Sequence, residues 1–390
     1  MVDLISPRKK GISFSILLLA LEIIFCFSNN HTALFISDYF IFILGFVAIE
    51  LLNNGLSFTY KSIKWMVLLI WLICASLLFV DILDRGTLLS YAVWLLFLVA
   101  SANRKWNLKE VYCLMTSFII GSIIMSVILL VLRHQYRYIG SYRYTIKFFS
   151  NMEIDPNYLA SFLYIGLIFA LYFIFNNKTS KYRAWLLISA TVILAAIVMS
   201  GSRAAYVAVA LSAFGVLVDF LKKSKNKVTI IVILIMMLPI LLIIVISLIP
   251  PEILSRFNIA SLVDGSNKRR VSHWIAAGNA ILNNPILGYG AAHTVSILTI
   301  YANHSSDAHN TVLTLILHFG LIGAIPIFKE FFDVIKLTLK KKATFIFFSF
   351  AGYLFINLIV ANHLGISFWI PLILIRQLIC LEEKVPSIRE

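Results

Sequence analysis

The sequence predicts an all-α polytopic membrane protein of about twelve transmembrane helices, and three observations carry that prediction. Hydrophobic residues make up 61% of the chain against 13% charged, with a mean hydropathy of +0.93. Apolar runs of span length follow one another along nearly all of the 390 residues. Lysine and arginine fall mostly on alternate connections between those runs. A water-soluble chain is about 45–50% apolar and about 25% charged, so no soluble domain is left over, and residues 1–390 read as one integral membrane domain.

A span needs roughly 20 mainly apolar residues. Twelve runs fit: 12–28, 33–52, 63–80, 86–100, 111–132, 156–175, 184–200, 204–221, 228–249, 311–328, 343–361 and 364–380. The first follows Arg8-Lys9-Lys10 as a signal peptide would. No small-residue cleavage site follows Ser28, however, and a second run begins at once, so a retained helix is expected. The fourth run and the last three are short or closely spaced, and twelve spans place both termini on one side. Segments around Lys61, Arg104, Lys178, Lys222–Lys227 and Lys329–Lys342, with the two termini, hold 22 of the 33 lysines and arginines. The positive-inside rule then puts the N-terminus in the cytoplasm, and those loops account for most of the net charge of +15 without a nucleic-acid partner. The four cysteines (Cys26, Cys74, Cys113, Cys380) lie in or beside apolar runs, with no metal-ligand spacing and no disulfide expected.

Ten cations fall on the external side, against the insertion bias. Arg85 and Arg203 stand alone. Arg133, Arg137, Arg143 and Lys147 share the loop after the fifth span. Arg256, Lys268, Arg269 and Arg270 lie in a large external loop, residues 250–310, between spans nine and ten. Headgroup phosphates would satisfy Arg133 and Arg137 equally well, whereas Arg203, Arg269 and Arg270 point to a site. Lys268–Asn283 places Val271, Trp274 or Ile275, Gly278, Ile281 and Leu282 on one face at a 3.6-residue period. This predicts an amphipathic helix at the outer membrane face. Its arginines sit at the N-terminal end, where the helix dipole also favours an anion.

No metalloprotease HExxH, phosphate loop, serine elbow or DxD pair is present, so the expectation is chemistry without a metal or cofactor. What faces outward is guanidinium and imidazole. Arginine forks match phosphate oxygens in pairs and keep their charge when partly desolvated, which suits a lipid-linked diphosphate. Histidine accepts a proton near neutrality. His309 stands at the mouth of span ten beside Asn310. His318, nine residues on, is half a turn out of phase on a regular helix and reads as a packing histidine. His293 and His304 are loop residues, and His363 sits in a tight turn. Among ionisable residues inside the runs, Glu22, Asp38 and Arg376 read as scattered, which argues against a proton relay.

Four segments carry a resemblance: IDPNYLASFL (154–163), MSGSRAAYVAVAL (199–211), RRVSHWIAAGNAILNNPILGYG (269–290) and HNTVLTLILHFGLIGAIPIF (309–328). In this order the chain resembles the superfamily of O-antigen ligases and O-antigen or capsular polysaccharide polymerases. The resemblance implies a GT-C-like, inverting, metal-independent glycosyltransferase that uses undecaprenyl-diphosphate-linked oligosaccharides, as donor and acceptor, at the outer face of the cytoplasmic membrane. It implies that Arg203 and Arg270 bind the diphosphate, with Arg143 as a further contact and Arg269 as an alternative register for Arg270. It makes His309 the base or the residue that orients the acceptor; Asn310, His304, Asp155 and Asn157 are candidate glycan contacts. A chain-length regulator is the partner such a polymerase would take. The DPNYLASFL segment and the short large loop favour a polymerase over a ligase acting on lipid A core. A flippase of lipid-linked sugars is the rival from another class, but the chain lacks repeated halves and paired broken helices.

Overall fold

The computed structural model describes residues 12–25, 39–54, 59–138, 141–147, 153–175, 182–224, 226–227, 251–254, 265–302 and 307–382. Eleven of the twelve expected runs are helices: α1 (Phe14–Ile24), α2 (Tyr39–Asn54), α3 (Tyr60–Leu78), α4 (Arg85–Asn103), α5 (Leu108–Leu132), α6 (Pro156–Phe175), α7 (Arg183–Ser200), α8 (Arg203–Lys223), α11 (Thr311–Lys340), α12 (Thr344–Ile359) and α13 (Ile366–Glu382). The run 228–249 lies outside the described residues, as do Asp38, Cys26 and His304. Among those described, α3 to α8 and α11 are each long and apolar enough to cross a membrane. The chain is an all-α polytopic membrane protein. Within 250–310 the structure adds α9 (Gly265–Asn283) and α10 (Thr294–Tyr301).

α6 runs through the middle of the bundle, buried on nearly every face from Leu159 to Ile174. The outer helices keep large apolar side chains exposed, among them Trp185, Ile188 and Phe332. An apolar exterior of this kind belongs against lipid.

The two ends differ. At the end carrying the α4–α5 connection, Arg104 pairs with Glu50 and, at 2.5 Å, with Glu110, and donates to Ser13 and Ser15. Nearby, Glu330 of α11 takes Lys64 of α3 and, at 2.5 Å, Arg376 of α13. This corrects the reading of Arg376 as unpaired, and a charge kept in such a place is expected to have its counter-charge beside it. A second correction concerns residues 329–342, expected as a loop. α11 continues through them to Lys340 because its buried stripe (Glu330, Phe331, Val334, Thr338) keeps helical spacing.

At the other end α11 is broken. Gly320 has φ +66° and ψ 176°, so the helix opens just where it enters the bundle. The turn Pro285–Ala292 fills the gap. The amide of Tyr289 donates to the carbonyl of Leu317 (2.8 Å) and that of Gly290 to His318 (2.9 Å), while the amide of Leu321 donates to Pro285 (2.7 Å). The Trp71 indole donates to Phe319 (2.9 Å). Carbonyls freed by the break are thus taken up by protein, as membrane depth requires. Ala291 then donates to Ser76 (2.8 Å) and Asp84 to the Ala291 carbonyl (2.9 Å), which ties the turn to the α3–α4 connection.

Gly320→Ala should be severely destabilising. The new Cβ would meet the Ile286 carbonyl oxygen, and the left-handed φ alone costs about 1–3 kcal/mol. Thermal unfolding of detergent-solubilised protein is expected to shift down by several degrees or the variant to fail to accumulate, whereas Gly278→Ala, with open space around its Cβ, should be tolerated.

Candidate functional site

Helix α9 is amphipathic, but its expected apolar face is split: Ile281 packs against the protein, and three of its aliphatics point away. Val271, Ile275 and Leu282 are exposed, whereas His273, Ala276, Ala277 and Ala280 are buried. The alanines let α9 lie close to α10 and α11, leaving its bulky aliphatics for an interfacial membrane surface. Trp274 is on the inner side, and its indole donates to the carbonyl of Ala308 (3.1 Å). The arginine pair is sorted as well, with Arg269 exposed and Arg270 half-buried.

His309 lies just before α11, not within it, so the helical phase that separated it from His318 does not apply. Its φ of +47° is a left-handed conformation that a residue with a Cβ adopts rarely. Asn310 is buried, and its side-chain oxygen caps α11 by accepting from the Leu313 amide (3.0 Å). The rings of His273 and His309 meet edge to face, 6.5 Å between centroids.

A second group forms where α6 and α8 begin. The Asp155 carboxylate accepts from the Asn157 amide (2.7 Å), and the Asn157 side-chain oxygen accepts from the Ser202 hydroxyl (3.1 Å). Arg203 follows as the first residue of α8, so the DPN and GSR segments are in contact at that turn. Leading into it is a hairpin, β1 (His134–Tyr138) and β2 (Ser141–Thr145), antiparallel, with Tyr136 opposite Arg143. β2 packs against α6 and α7 and carries Arg143, which is buried.

The two groups share the connection between α12 and α13. Tyr158, beside Asn157, donates its hydroxyl to the carbonyl of Ala361 (2.9 Å). Thr311, two residues after His309, donates to Val360 (2.6 Å) and accepts from the Asn362 amide (2.8 Å). Arg203, Asp155 and Asn157 on one side, and Arg270, His309 and Asn310 on the other, therefore stand at the same end of the bundle.

His318 is wholly buried, with Nδ1 on the Tyr91 hydroxyl (2.7 Å) and Nε2 on that of Thr294 (3.0 Å). It fastens α10 and α4 to α11, a packing role as read from the sequence. His293 precedes α10, with Nδ1 3.1 Å from the Ser296 hydroxyl. Burial, and then the Tyr301 hydroxyl, raise the Tyr289 phenol above its ordinary pKa, so it remains protonated at neutral pH. Among the described residues no three His, Cys, Asp or Glu side chains are gathered as a metal site requires.

Sequence reading missed His273, Ser202 and the hairpin. Alternation of Tyr and Arg about Ile139-Gly140 was the signal for the hairpin. The i, i+3 spacing of Arg270 and His273 on a helix was the signal for His273.

This architecture is that of an integral membrane protein, with polar, arginine- and histidine-bearing segments at one end of its helix bundle. Residues 188–328 match the model of the family described as O-antigen ligase, and that segment, which holds the GSR turn, α9 and His309, supports the O-antigen ligase and polymerase superfamily. Members of the family are glycosyltransferase-like enzymes that act on lipid-linked glycans in a membrane. No curated protein matches the chain.

If Ser202 and Asn157 hold the Arg203 turn together, Ser202→Ala and Asn157→Ala should each lower stability by about 1 kcal/mol, and the double variant by no more than either alone. Denaturant titration of the purified variants measures this; full additivity would show that the hydrogen bond does not couple them.

Proposed function

We propose that this chain is a polysaccharide polymerase, a GT-C-type glycosyltransferase joining undecaprenyl-diphosphate-linked repeat units at the outer face of the bacterial cytoplasmic membrane. What supports the reading is that Arg203, Arg270 and His309 stand on elements at the same end of an apolar bundle, inside the segment that matches the family. Both termini are then cytoplasmic, and the site faces outward.

The donor diphosphate lies against Arg203 and Arg270, with Arg143 supporting from β2 and Arg269 at the rim. A hydroxyl of the acceptor sugar gives its proton to His309 as its oxygen bonds to the anomeric carbon. The bond from that carbon to the diphosphate oxygen breaks on the opposite face, the anomeric centre inverts, and the diphosphate leaves with the electron pair. Arginines stabilise the charge that develops there. Asp155 and Asn157 shape the Arg203 turn and can meet the glycan. Asn310 acts through its cap on α11.

A second reading, ligation to lipid A core, is favoured by the description of the matched family. Purified protein reconstituted with an undecaprenyl-diphosphate oligosaccharide as sole substrate should yield a glycan ladder on gels. Product that appears only with added core acceptor would make it a ligase, and no glycosidic bond with either would return the flippase reading. Arg203→Ala and Arg270→Ala should each lower the rate by about 10²–10³-fold in protein that still folds and inserts. The rate in EDTA should equal that without it.

A further inference from the structure

We propose that His273 is a positioning residue for His309, fixing the direction in which the His309 ring meets the acceptor; this rests on the reading of His309 as the base. His309 has its backbone held on both sides. Ahead of it, the Ala308 carbonyl is taken by the Trp274 indole, and after it Asn310 is committed to capping α11. A left-handed φ at His309 sets where its side chain leaves the chain. Against the His309 ring the His273 imidazole stands edge to face, at 6.5 Å and an interplanar angle of 68°.

His273 is 3% exposed whereas His309 is half-buried, so of the pair His309 is the one that substrate can reach. His273 also lies one helical turn after Arg270 on α9. One rigid helix thus carries a candidate ligand of the leaving diphosphate and the wall that aims the base. Any shift of α9 moves both together, which links donor binding to the geometry of proton transfer.

The test measures kcat and donor KM in reconstituted protein, with the undecaprenyl-diphosphate oligosaccharide as substrate. The variants are His273→Gln, which keeps bulk without a ring, and His273→Phe, which keeps a ring without titrating. Each is made in the natural and the His309→Gln backgrounds. His273→Gln is expected to lower kcat by about 10–100-fold at unchanged KM, and His273→Phe to restore it to within about threefold. In the His309→Gln background His273→Gln should change nothing further. Equal losses in both backgrounds, a change in KM alone, or an unaltered rate would overturn the proposal. A His309→Gln protein with the natural rate would show a different failure, that of His309 as base, and the proposal would fall with it.

Discussion

The site rests on a helix that is broken inside the bundle and repaired by another part of the chain. Opening α11 at Gly320 leaves the carbonyls of Leu317, His318 and Phe319 without their helical partners, at a depth where water is scarce. The amides of Tyr289 and Gly290 and the Trp71 indole take their place. Gly288 and Gly320 face each other at positive φ, and a Cβ on Gly288 would come within 2.6 Å of the His318 carbonyl oxygen. Two motifs some thirty residues apart in sequence are thereby one device. Because the docked turn directly follows α9, it also sets where that helix lies, and with it Arg270, His273 and the Trp274 clamp on Ala308.

Polar groups within the bundle follow a matching division. At the α4–α5 end, cations meet carboxylates: Arg104 with Glu50 and Glu110, and Glu330 with both Lys64 and Arg376. Those pairs neutralise one another and leave little for a ligand. At the opposite end the Asp155 carboxylate accepts from the Asn157 amide, and Arg143, Arg203 and Arg270 are carried by β2, α8 and α9.

Much of this was legible in the sequence. Spans were read from apolar length, and eleven of the twelve reappear as helices because lipid burial constrains length so tightly. The amphipathic helix was read from its period. What could not be read depended on contacts between distant segments. Nothing in HFGLIGAIP announces that Gly320 breaks the helix, since a glycine within an apolar run is also tolerated in regular helices. Nothing local to DPN or GSR reveals that Asn157 accepts a hydrogen bond from Ser202. His273 was passed over because its value comes from His309, thirty-six residues away. Arg376 was misread for the same reason: its partner Glu330 lies on another helix.

The claim on which the rest stands is that the Pro285–Ala292 turn is docked in the α11 break, and hydrogen–deuterium exchange of bilayer-embedded protein tests it most directly. Docking predicts that the amides of Tyr289, Gly290 and Leu321 exchange as slowly as those within the spans α5 and α6. Exchange at those three amides as fast as at an exposed turn would contradict it.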